Sequence, residues 1–192
     1  MNPLYASGLL AAGLVLSNVV HAHIGIHADG SFETGLMHPF CGLDHMLALL
    51  AVGLWAAQAG GRNLIVVPVT FMVAMALGTW LGIAGGYLPL AQEGVAASVV
   101  MFGLLVAFAV RGAWQWVAPL VATFALFHGY AHGTEIPQFV SPGGYLAGIL
   151  LATLALHAGG AAAAITLLSR TLVLRAGGAA IALGGLWMAL GA

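Results

Sequence analysis

The amino-acid sequence predicts an all-α, polytopic membrane protein with six transmembrane helices after an N-terminal signal peptide. Three observations carry this expectation. Of 192 residues, 62% are hydrophobic and 5% charged, with a mean hydropathy of +1.07. A soluble domain carries roughly a quarter of its residues as charges, so this chain cannot cover a water-facing surface. The apolar residues fall into segments of the ~20 residues that a bilayer-spanning helix requires. Finally, all four basic residues fall on one side of a six-helix arrangement. Strand-like alternation is absent, which argues against a membrane β-barrel.

Residues 1–22 have the layout of a secretory leader. Leu9 to Val20 is a short apolar core, and Val20-His21-Ala22 offers residues that a signal peptidase accepts, so cleavage is expected after Ala22. The Lys or Arg usual before such a core is missing, which leaves an uncleaved first helix as the alternative. Residues 23–37 are the one extended polar stretch and are expected as a short periplasmic segment holding His23, His27, Asp29 and Glu33. Residues 38–192 are expected to form the transmembrane domain. Its helices are expected at about 39–58, 64–86, 94–110, 115–133, 143–168 and 172–191, with the short connections of antiparallel neighbours. Pro39 suits the first helical position, where its missing N–H costs nothing.

Orientation follows from the charges. Arg62 lies between the first and second segments, Arg111 between the third and fourth, and Arg170 and Arg175 between the fifth and sixth. Asp29, Glu33, Glu93 and Glu135 fall on the other side. The positive-inside rule makes the arginine side cytoplasmic. Both mature termini are then expected on the outer, periplasmic side. Trp55, Trp114 and Trp116 fall near the inner ends, and Trp80, Tyr87, Tyr145 and Trp187 near the outer ends, as in an interfacial aromatic belt. Ala74, Gly78, Gly82 and Gly86 recur at four-residue spacing, as do Gly144, Gly148 and Ala152; both sets read as surfaces for close helix packing.

Other classes are excluded. With a net charge of −1 and no basic run, nothing neutralises phosphates, so nucleic acid is not a partner. One cysteine cannot form an intrachain disulfide. The sequence does not specify an oligomeric state.

Two histidine-rich strings carry the chemistry. One is His38-Pro39-Phe40-Cys41-Gly42-Leu43-Asp44-His45, the other His128-Gly129-Tyr130-Ala131-His132-Gly133-Thr134-Glu135. Titratable residues at membrane depth are expensive and mark substrate or ion paths. The spacing i, i+4, i+7 puts His128, His132 and Glu135 on one helix face. Asp44 and His45 are expected one to two turns into the first helix, about 8 Å at 1.5 Å per residue. Both strings should therefore meet at one depth on the outer side.

Imidazoles beside carboxylates suit Ni²⁺, Co²⁺, Zn²⁺ or Cu²⁺. The candidate metal-binding set is His38, Asp44, His45, His128, His132 and Glu135, with Asp44 either a ligand or the partner that fixes the His45 tautomer. Cys41 shares the face of His38 and His45 and is an additional candidate, although a free cysteine is commonly an inert apolar residue. His157 reads first as a helix–helix hydrogen bond and only second as a ligand. His23 and His27 are candidates for capture outside, and a freed His23 would chelate through amine and ring together. Met72, Met75 and Met101 read as packing.

The first string, followed by Ala48, Val52-Gly53 and Leu54-Trp55, resembles the first-helix signature of the HupE/UreJ family of nickel permeases. Phe127 to Glu135 resembles that family's second signature, Phe-His-Gly-x-Ala-His-Gly-x-Glu. The resemblance covers the whole chain. It implies secondary uptake of nickel, or sometimes cobalt, across the inner membrane to supply enzymes such as hydrogenase or urease. It also implies function for His38, Asp44, His45, His128, His132 and Glu135. Ni²⁺ or Co²⁺ is then transported substrate, with no permanent cofactor and no catalytic residues.

Two other readings remain. An intramembrane metal-dependent enzyme of the His-Glu-x-x-His kind needs glutamate where Gly129 stands, and no Gly-x-Ser-x-Gly turn occurs. A bis-histidine haem protein leaves Asp44 and Glu135 without a role. No phosphate-binding loop is present, so ATP is not expected to drive the chain directly.

Overall fold

The computed structural model describes residues 30–191, and these fold into seven helices without strands. In order they are α1 (Ser31–Cys41), α2 (Leu43–Ala59), α3 (Asn63–Ile83), α4 (Ala91–Ala107), α5 (Trp114–Thr134), α6 (Pro142–Leu167) and α7 (Thr171–Ala189). The leader, His23, His27 and Asp29 lie outside the described residues. Helices α3, α6 and α7 are long and apolar enough to cross a membrane, and the bent α1–α2 pair makes a fourth if taken as one span. Ile65, Val73, Leu77, Leu172 and Leu183 are exposed. So much outward apolar surface suits lipid and not water; the chain is a membrane protein.

The first expected segment is two helices rather than one. The axes of α1 and α2 differ by 84°, and Gly42 between them is extended, at φ −107° and ψ 121°. Pro39 lies inside α1 instead of opening a helix, and residues 31–37, expected as a polar connection, are the first turns of α1. The cause is tertiary. α1 packs across the start of α6, where the Ser141 N–H donates to Ser31 Oγ at 2.9 Å and Gly35 meets the backbone of Tyr145. At the break the Asp44 side chain folds back to accept its neighbour's N–H, from His45 at 2.8 Å.

Close backbone approach organises the rest. α3 packs along α5, and a Cβ added to Gly129 or Gly133 would run into the Met75 or Thr79 backbone. Gly78 and Gly82 are the reciprocal positions on α3, so the packing reading of those glycines holds. Gly86 does not share it, because α3 ends at Ile83. Gly53 and Gly160 play the same part where α2 crosses α6, and Gly148 receives α1. α4 packs on α7, with Gly103 against Gly178.

Two of the expected belt aromatics are core residues. Trp55 is buried and donates its Nε1–H to the Val110 carbonyl at 2.9 Å. Tyr145 is buried with its hydroxyl unpartnered. Trp80, Tyr87, Trp116 and Trp187 are exposed, as interfacial residues must be.

Asn63 donates to the Gly112 carbonyl at 3.1 Å, and Arg175 Nε donates to the Ala107 carbonyl at 2.8 Å. These bonds gather the α2–α3, α4–α5 and α6–α7 connections, and with them all four arginines, at one end of the bundle. The histidine strings lie at the other end.

Candidate functional site

The carboxyl-terminal turns of α5 carry alternating functions. Gly129 and Gly133 press against α3, while His128 and His132, one position earlier in each turn, are fully buried. His45 enters from the first turn of α2 and His38 from the last turn of α1, on opposite sides of the Gly42 break. Glu135 caps the end of α5. Without the break, His38 and His45 would lie along one axis; the bend turns α1 so that both reach α5.

The four rings form one cluster. Centroids are 4.4 Å apart for His45–His132, 4.9 Å for His38–His132, 5.1 Å for His45–His128 and 6.3 Å for His38–His45. Two imidazoles on one ion, at about 2.1 Å per bond, have centroids roughly 5 Å apart. Three of the four spacings are near that value, and all of them are also the spacings of ordinarily packed rings. The rings are tilted or edge-on to one another, and among the described residues no three His, Cys, Asp or Glu side chains already converge on one point. An ion held by three of these groups would require the rings to rotate.

Hydrogen bonds decide which nitrogens are available. His45 Nδ1 pairs with Asp44 Oδ1 at 2.9 Å. With Asp44 ionised, that nitrogen carries the proton, and the unpartnered Nε2 keeps its lone pair. Ser98 donates its hydroxyl to the Val95 carbonyl at 2.6 Å, so its 2.5 Å contact with His128 is a donation from Nε2–H. His128 Nδ1 is then the free lone pair, and both nitrogens of His132 are unpartnered. An unsatisfied buried polar atom costs about 1–3 kcal/mol. Four such atoms gather in one place.

The carboxylates sit at the mouth. Asp44 and Glu135 are 35% and 51% exposed, whereas His128 and His132 are sealed. A cleft of about 230 Å³ is lined by His38, Cys41, Asp44, His45 and Glu135. A second, of about 240 Å³, adds Gln92 and Met188 around Asp44, His45 and Glu135. Glu135 Oε2 lies 3.1 Å from His38 Nε2. That hydrogen bond holds the glutamate carboxyl below its usual range, against the opposing effect of burial.

All six residues of the expected set thus meet. Cys41 is exposed at the rim, its thiol donating to the Met37 carbonyl at 3.4 Å. His157 stands apart on α6 and makes no helix–helix hydrogen bond, because neither ring nitrogen has a partner; that expectation is corrected. Ser98, Gln92 and Tyr145, whose ring centroid lies 5.6 Å from that of His38, were not legible as site residues. Only Ser98 left a trace, as the one hydroxyl inside the apolar α4.

An all-helical membrane protein with a buried histidine cluster under a carboxylate mouth is the class that fold and site define. The chain matches the family described as HupE / UreJ protein over residues 10–188, and it belongs to that family. It is similar to Protein HupE of Rhizobium leguminosarum bv. viciae, with 49% identity over 146 residues, 76% of each chain. No solved structure matches.

Proposed function

We propose that this protein is a secondary permease for a divalent transition metal that takes up Ni²⁺, with Co²⁺ as the next candidate, across a bacterial inner membrane. The observation that carries the reading is the cluster of His38, His45, His128 and His132, with unpartnered buried nitrogens beneath Asp44 and Glu135. The carboxylates attract a hydrated cation at the mouth. The imidazoles then replace its water, a donor set that suits nickel and cobalt better than magnesium or calcium. Family membership agrees with this reading. The chain crosses the membrane six times, with α1–α2 as one bent span and the histidine end outside. Uptake into proteoliposomes of the full chain, compared across Ni²⁺, Co²⁺ and Zn²⁺, tests it; wild-type vesicles that accumulate none of these refute it.

Two expected outcomes follow from the reading. A reporter fused after Ala192 behaves as periplasmic, since all four arginines share one end and an even number of spans returns the chain outside. Cytoplasmic behaviour would invalidate the topology.

The second outcome concerns pH. Protons compete with metal for imidazole nitrogens, and a histidine in water titrates at about 6.5, a value that burial lowers. Uptake at sub-saturating Ni²⁺ therefore falls as external pH drops from about 7.5 to 5.5, and excess Ni²⁺ partly restores it. Glu135, held below its ordinary range by His38, stays ionised throughout that window, so the loss reports on histidine. Uptake that is flat across the window shows that protons do not reach the metal-binding nitrogens there, and uptake that rises on acidification indicates proton drive instead.

A further inference from the structure

We propose that His157 is a second, transient metal-binding station, deeper in the bundle and on the arginine side of the histidine cluster. The inference rests on the permease reading and adds a step to its route.

Depth orders the groups. Gly129, next to His128, meets the Met75 backbone, and Phe71 stands one turn from Met75 toward the arginine end of α3. Gly53, eight residues beyond His45 along α2, meets the His157 backbone, about 12 Å farther from the cluster end at 1.5 Å per residue. Phe71 sits between the two histidines, its centroid 5.7 Å from His128 and 5.1 Å edge-on from His157. One buried ring thus separates the outer cluster from the inner imidazole.

His157 has no structural partner. It is 2% exposed, and neither ring nitrogen is hydrogen-bonded. A leucine of similar size would pack there without stranding polar atoms, so packing does not explain a histidine. The surroundings are suited to a passing soft or borderline cation. One turn toward the cluster, Thr153 on the same face of α6 donates to the Met75 sulfur at 3.6 Å. Met75 is itself one turn from Phe71 on α3. A hydroxyl, a thioether and an imidazole therefore gather where α3 meets α6, and thioether and imidazole both accept such metals. Toward the arginine end, Gln58 Oε1 and Asn63 Oδ1 are again buried and unpartnered. A single strong ligand is what an intermediate station needs, since a permeating ion must bind firmly enough to enter and weakly enough to leave.

The test uses the full chain in proteoliposomes, with Ni²⁺ as the probe and equilibrium Ni²⁺ binding in detergent as a separate readout. In His157→Leu, the maximal uptake rate is expected to fall about 10-fold or more. The half-saturating Ni²⁺ concentration and His45-dependent binding should stay near wild type. Thermal stability should be equal or higher, because two stranded nitrogens are removed. His157→Cys, which restores a metal donor, should recover much of the rate. A wild-type rate in His157→Leu overturns the station, as does a loss that His157→Cys does not relieve. Destabilisation of both variants assigns His157 a structural role and overturns it equally. If wild-type vesicles take up no metal, the permease reading fails as well, which active wild type beside active His157→Leu would not imply.

Discussion

Vesicles carrying His45→Ala are expected to take up Ni²⁺ at least about 100-fold more slowly than wild type. His45 lies 4.4, 5.1 and 6.3 Å from the rings of His132, His128 and His38, so it is the one residue that links all four. Its Nε2 is free because Asp44 holds Nδ1. Removing the ring takes out a ligand and leaves the two buried α5 histidines without a counterpart. Asp44→Ala should cost less, roughly 10–100-fold, the usual effect of losing the group that orients a metal-binding imidazole. Neither change should reduce the amount of protein in the membrane. Asp44 stands in the first turn of α2, where the helix dipole favours a carboxylate by about 0.3–1 kcal/mol, too little to decide folding. Uptake kinetics normalised to protein in the vesicles provide the check. Undiminished transport in both variants would remove His45 and Asp44 from the route.

Gly129→Ala is expected to lower the melting temperature and abundance of the protein although it adds a single methyl group. The new Cβ would fall on the backbone of Met75, and backbone cannot rotate aside as a side chain can. α3 and α5 would have to separate along the most intimate helix contact in the bundle. Overpacking of this kind costs typically 1–3 kcal/mol, a sizeable share of the 5–15 kcal/mol that holds a native protein. The same displacement carries His128 and His132 away from His45, so metal binding should weaken with it. Gly143→Ala is the control, since nothing lies within 4 Å of its added Cβ and it should melt as wild type does. Equal melting of Gly129→Ala and wild type in detergent would show that the α3–α5 contact can relax.

The second histidine string divides by function. In His-Gly-Tyr-Ala-His-Gly the histidines serve the cluster, and the glycines bring α3 close enough to seal it. The helical period makes this division visible in sequence, because residues one apart differ by about 100° around the axis. That two strings so far apart in sequence meet is more than periodicity dictates. It follows from both lying at the end of the bundle away from the arginines, an inference that charge placement alone supported and that the Asn63–Gly112 and Arg175–Ala107 bonds now explain.

What the sequence by itself determined is whatever local composition and period encode. The helical class, the membrane character, the shared end of the four arginines, the six residues that meet and the packing role of Gly78 and Gly82 were all legible, because each depends on which residue types recur at which spacing. Only the tertiary structure decided the rest. Pro39 reads as a helix start, yet the chain turns at Gly42, since α1 finds its packing partner in α6, about a hundred residues away in sequence. Tyr145 and Trp55 read as interfacial, yet both are buried beneath helices whose approach no local pattern specifies. Ser98 sets the tautomer of His128, and His157 is stranded behind Phe71, through contacts between residues 30 or more apart. A helix's period fixes which way each side chain points from its own axis, but not what stands opposite, and that is settled only when the faces pack.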